Sequence, residues 1–100
     1  MAAYVIAIID ITNADAYQEY ARQVPAIIAK YGGRYLMRGG KMELREGEWP
    51  GQRTVILEFP SLARAREWYD SPEYRPVREI RQANSRGRIA FFEGVTNPAG

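Results

Sequence analysis

The stretch Tyr4-Val5-Ile6-Ala7-Ile8-Ile9-Asp10 is apolar at successive rather than alternate positions. A strand with that pattern has to bury both of its faces. Working outward, Asn13 is a good helix N-cap and Asp15 suits the positive end of the helix dipole. Tyr17, Tyr20, Ala21, Val24, Ile27, Ile28 and Tyr31 then recur at helical spacing. Pro25 falls inside this run and should bend the helix or break its ladder locally. Gly32-Gly33 supplies a left-handed stop. Residues 34–38 read as a second strand, Gly39-Gly40 as a bulge or turn, and residues 41–45 as its continuation before an exposed loop over 46–51. Residues 53–59 form a third strand. Ser61 caps a second helix, which Ser71-Pro72-Glu73 restarts, and Val77, Ile80 and Asn84 continue its face. Gly87 ends that region, and residues 88–93 make the last strand.

The order β-α-β-β-α-β predicts an α+β, ferredoxin-like sandwich. Right-handed crossovers give a four-stranded antiparallel sheet in the order 4-1-3-2, with both helices on one side. The other face then stays uncovered, although Tyr4, Ile6 and Ile8 alternate with Val5, Ala7 and Ile9, and Ala90 and Phe92 with Ile89 and Phe91. So much apolar surface should not face water. A homodimer through the open sheet face removes it. The expectation is one domain over residues 1–96 and a flexible tail over 97–100.

The chain has 100 residues with neither cysteine nor histidine, which excludes disulfides, thiol nucleophiles, histidine triads and histidine-ligated haem. No metal is expected: Glu43, Glu46 and Glu48 lack calcium-loop spacing and read as a solvated edge. Residues 4–9 are far too few to span a membrane, and no basic n-region follows Met1, so a cytoplasmic protein is expected. The net charge is only +2, yet 12 arginines stand against two lysines. Arginine suits carboxylate recognition and aromatic stacking.

The run Ala26-Ile27-Ile28-Ala29-Lys30-Tyr31-Gly32-Gly33-Arg34-Tyr35-Leu36-Met37-Arg38-Gly39-Gly40 resembles a signature of the domain-of-unknown-function family 1330. So do Val55-Ile56-Leu57-Glu58-Phe59-Pro60-Ser61, Trp68-Tyr69-Asp70-Ser71-Pro72-Glu73-Tyr74 and Arg81. The resemblance implies a dimeric α+β barrel. That superfamily includes cofactor-independent monooxygenases, isomerases, haem-handling proteins and pure binding modules. The resemblance transfers no catalytic residue.

Two carboxylates are candidate catalytic groups. Asp10 ends the first strand near Arg53, Arg86 and Arg88, where an ion pair is the plainer reading. Glu58 sits near Tyr4; inside a dimer barrel it would be desolvated and could serve as a general base, while a salt bridge to Arg34 or Arg38 is equally consistent. The candidate ligand-binding residues are Tyr35, Arg38, Trp68, Ser71, Tyr74 and Arg81. Simple alternation puts Tyr35 with Met37 on one side of the second strand, and Leu36 with Arg38 on the other. Ser71, capping the restarted helix, leaves N–H groups to receive an anion. Aromatic walls and an arginine would suit an aromatic or carboxylate-bearing molecule, whereas plain helix-on-sheet packing would explain Trp68 and Tyr74 as well.

The expected function is a homodimeric small-molecule-binding protein without a cofactor. As an enzyme it would be a cofactor-independent oxygenase or isomerase. The alternative is a non-catalytic structural or interaction module. Nucleic-acid binding is not expected, because residues 53–59 lack the glycine and aromatic pattern of RNA-recognition motifs.

Overall fold

The computed structural model of the chain describes residues 1–95. The expected tail over residues 97–100 lies outside them. The elements run β1 (Ala3–Ile11), α1 (Ala14–Lys30), β2 (Arg34–Arg38), β3 (Arg53–Phe59), α2 (Leu62–Tyr69), α3 (Tyr74–Asn84) and β4 (Ser85–Glu93). The sheet order is β2-β3-β1-β4, and every pairing is antiparallel. This is the α+β sandwich with the predicted strand order. Among the described residues no helix is long and apolar enough to cross a membrane.

The caps fall where the sequence puts them. Asn13 accepts from the Ala16 amide and Ser61 from the Arg64 amide. α1 ends before Gly32, whose φ is 81°. At that end Tyr31 donates to Glu73 and Lys30 lies 3.1 Å from it, which ties α1 to the start of α3. The Tyr31 hydrogen bond, helped by Lys30, holds the Glu73 carboxyl below its ordinary range.

The helices cover one face of the sheet. Ala3, Val5, Ala7 and Ile9 of β1 are buried on that side, with Leu57 and Phe59 of β3. Val24 and Ile28 of α1, Ala65 and Trp68 of α2, and Tyr74 and Val77 of α3 close the core over them. Tyr4, Ile6 and Ile8 point the other way, as do Ile56 and Phe92, and Phe92 is 50% exposed.

Two expectations fail for local reasons. Residues 41–45 form no strand: β2 ends as the Gly39 amide bonds the Thr54 carbonyl, and the chain leaves in a loop. Gly87 does not precede the last strand but lies within it, paired to Ile9. A Cβ there would come within 2.2 Å of the Ile8 carbonyl oxygen, so glycine is what lets β4 approach β1.

Candidate functional site

Pro25 and its surroundings set up one wall of the site. α1 runs unbroken through Pro25. Proline has no amide hydrogen, so the carbonyl of Ala21, four residues earlier, loses its helical partner. Arg38 of β2 takes that place, its Nη2 donating to Ala21 O at 3.0 Å. The same guanidinium lies 4.7 Å from the centre of the Tyr35 ring. Arg38 therefore clasps β2 to the middle of α1. Arg38→Ala should cost about 0.5–1.5 kcal/mol of stability, the range of a net hydrogen bond. In a Pro25→Ala background the restored amide reclaims Ala21 O, and the same substitution should cost clearly less. A double-mutant cycle by denaturant unfolding checks this; equal costs in both backgrounds would mean that the clasp is idle.

Arg38 reaches this face because β2 carries a bulge. Tyr35 pairs with Leu57, but Met37 pairs with Ile56 and Arg38 with Val55, so the register shifts between Tyr35 and Met37. The extra residue, Leu36, resets the alternation. Tyr35 and Arg38 consequently share the helix side, and Met37 lines a surface pocket on the open side with Thr54 and Ile56. Strict alternation had paired Tyr35 with Met37.

Beneath this clasp, between α1, the sheet and α2–α3, lies a cavity. Its volume is about 40 Å³. Aliphatic side chains of β1 and β3 form the floor. Tyr17 and Tyr20 of α1, Tyr35 and Arg38 of β2, Arg53 of β3, Trp68 of α2 and Arg81 of α3 supply the polar and aromatic lining. Ala21 lines it too, and its small side chain leaves room between the tyrosines and β2. Arg53 is guided by a turn: Gly39 has a φ of 63°, and a Cβ there would meet Arg53 Nη1 at 2.4 Å. Gly39 thus provides both the turn and the space over which the guanidinium lies.

The phenols form a connected set. The Tyr20 and Tyr74 hydroxyls are 2.8 Å apart, and the Tyr17 and Tyr20 rings are tilted at 5.3 Å. Burial raises the pKa of Tyr20, and the neighbouring Tyr74 raises it further. Burial also raises Tyr74, with the Tyr20 hydrogen bond and Arg81 opposing. Tyr17 is raised by burial against the pull of Arg53 and Arg81, and Tyr35 by burial against Arg38. All four phenols therefore stay neutral at physiological pH and act as hydrogen-bonding groups. Arg81 is 9% exposed; burial opposes its charge, but the oxygens of Tyr74 and Tyr20 favour it and raise its pKa.

Of the six expected ligand residues, Tyr35, Arg38, Trp68 and Arg81 meet in the cavity. Tyr74 and Ser71 stand behind it. Tyr74 is fully buried, stacks on Trp68 at 4.4 Å and holds the Tyr20 hydroxyl. Ser71 Oγ donates to the Trp68 carbonyl and accepts from the Tyr74 amide, while Ser71 O accepts from the Arg75 amide. Ser71 thus bonds the first turn at the restart, taking the Tyr74 and Arg75 amides itself. The two carboxylates stand elsewhere. Glu58 faces the open side of the sheet, opposite Tyr4, and accepts from Arg34 at 2.7 Å. Asp10 accepts from the Gln52 amide at 2.8 Å, in place of the ion pair its arginine neighbours suggested. Sequence reading missed Tyr17, Tyr20 and Arg53 as site residues. Their signal was faint: two tyrosines one turn apart beside an alanine, on a stripe that otherwise reads as core.

Solved structures similar to this chain share its fold at low identity. RPA0582, a protein of unknown function from Rhodopseudomonas palustris, aligns over 96% of this chain and 84% of its own with a TM-score of 0.75 at 20% identity. SnoaB, a cofactor-independent oxygenase from Streptomyces nogalater, gives a TM-score of 0.64 at 12% identity, covering 99% of this chain and 98% of its own. Rv0793 from Mycobacterium tuberculosis gives 0.59 at 18% identity, covering 98% and 99%. No curated protein matches the chain. The match that extends to sequence is a family model covering residues 2–95, nearly the whole of the sandwich, and by it the chain belongs to the domain-of-unknown-function family DUF1330.

Proposed function

We propose that the protein is a homodimer that holds a small molecule in the cavity between α1 and the sheet. The observation that carries this reading is the lining. Three guanidinium groups and three phenols reach into a space otherwise walled by aliphatic side chains. A core built only for packing has no use for polar groups there, because burying them costs free energy unless they are bonded. Tyr35, Arg38, Trp68 and Arg81 are the proposed ligand contacts, joined by Tyr17, Tyr20 and Arg53. Ser71 and Tyr74 support them by holding Trp68 and the Tyr20 hydroxyl in place.

Any reaction in this site is of a cofactor-independent kind, an oxygenation or isomerisation of a small aromatic or carboxylate compound. The oxygenase SnoaB, alike in fold, supports that class. In this cavity the phenols and guanidinium groups can orient a substrate and stabilise negative charge as it develops. Asp10 and Glu58 lie outside the cavity, so Glu58 would serve as a base only toward a ligand held between two sheets. The dimer is supported by the apolar open face, where, among the described residues, Tyr4, Ile6, Ile8 and Ile56 are only part-buried and Phe92 is exposed.

A thermal-shift screen with small aromatic compounds and short carboxylic acids tests the ligand site. A ligand at a hundred times its Kd should add about 2.7 kcal/mol, or roughly 10–20 °C in Tm for a domain of this size. Arg81→Ala should abolish the shift. Flat melting temperatures across the set would defeat the reading in favour of a purely structural dimer.

A further inference from the structure

The charges of this cavity are all of one sign. Arg38, Arg53 and Arg81 bring three positive charges, the phenols bring hydroxyls that both donate and accept, the Trp68 indole brings a donor, and no carboxylate lines the space. Three of the donor atoms, Arg53 Nε, Arg81 Nε and Trp68 Nε1, are buried without a hydrogen-bond partner. An unmade buried donor is costly, and more so when it is charged. The missing component is therefore an acceptor.

Its position is constrained as well. Arg53 and Arg81 both line the cavity, and both charges act on the Tyr17 hydroxyl. Arg81 and Ile89 also form a wall shared with a second, outer groove that holds Arg86 and Arg88. The positive field therefore continues from the surface through Arg81 to the interior, and such a field draws in anions. Val24, Leu57 and Trp68 add apolar and aromatic surface to the same lining.

We infer that the cavity selects a compact organic carboxylate, its charged oxygens held between Arg53 and Arg81 and its apolar body against Trp68. This rests on the ligand-site reading above and narrows it: neutral aromatic compounds, admitted there, are rejected here. Carboxylate and guanidinium match as planar, two-pronged partners, and such charge-assisted bonds are the strong ones.

Isothermal titration with matched pairs separates the two claims. Benzoate against benzamide and propionate against propionamide share shape and differ in charge. The acids should bind at least about tenfold more tightly than the amides. Arg53→Gln and Arg81→Gln should each weaken acid binding by about ten- to a hundredfold, the loss of one charged hydrogen bond, and weaken amide binding far less. Should the buried Arg81→Gln variant fail to fold, Arg53→Gln, at a half-buried strand end, decides the matter. Amides that bind as tightly as the acids, or variants that weaken both alike, would overturn the carboxylate assignment and leave the ligand site standing. Absence of binding by all four probes would remove both.

Discussion

Replacing Trp68 by alanine is expected to lower the melting temperature by more than about 12 °C, and to leave much of the protein unfolded at 37 °C. Trp68 is 1% exposed and joins α2 to the sheet and to α3. Its ring lies 5.3 Å from Phe59 on the sheet and 4.4 Å from Tyr74 at the start of α3. It also meets Tyr69 edge-on at 5.9 Å. Truncating a buried tryptophan costs about 3–5 kcal/mol. That is a large share of the roughly 5–15 kcal/mol that holds a small domain together. Each kcal/mol is worth about 4–8 °C in a domain of this size. Trp68→Phe keeps the aromatic stack with Phe59 and Tyr74 and should cost much less. Thermal melts followed by circular dichroism measure both. An alanine variant melting within a few degrees of the parent would mean that Trp68 does not hold the layers together.

The second large effect concerns assembly. Ile6 lies at the centre of the open face, opposite Ile56 on one side and Ala90 on the other. In the proposed dimer, Ile6→Glu should give a monomer in sedimentation at micromolar concentration. An unpaired carboxylate in the middle of an apolar interface costs several kcal/mol, so the dissociation constant should rise by about a thousandfold or more. The far-UV spectrum should hardly change, because Ile6 points away from the core. A parent chain that sediments as a monomer, or a variant that stays dimeric, would contradict dimerisation through this face.

The fold was readable because its signals are local and repeated. Successive apolar residues in β1, the Asn13 and Ser61 caps and the Ser71-Pro72 break each declare themselves within a few positions. The site was readable only in part. Trp68, Arg81 and Tyr35 could be gathered from topology, since the end of one helix and the second strand cover the same sheet. The partnership of Tyr35 with Arg38 could not, because alternation along β2 fails at Leu36 and a bulge leaves no distinctive residue there. Tyr17 and Tyr20 were hidden for another reason. Helical periodicity shows which side of α1 faces the sheet, but not that Ala21 leaves space beneath them. Asp10 shows the opposite error: topology puts arginines on the neighbouring strands, Arg86 directly across from it, yet it is the Gln52 backbone amide that bonds it.

The position of β1 bears on how the protein is made. This first strand sits inside the sheet, and both of its neighbours come later, β3 from Arg53 onward and β4 only by Glu93. During synthesis its apolar edge waits for almost the entire chain to emerge before it is paired on both sides. Non-local pairing of this sort slows folding, and an unpaired apolar strand invites aggregation. Chains interrupted before β4 are therefore the natural clients of chaperones and proteases.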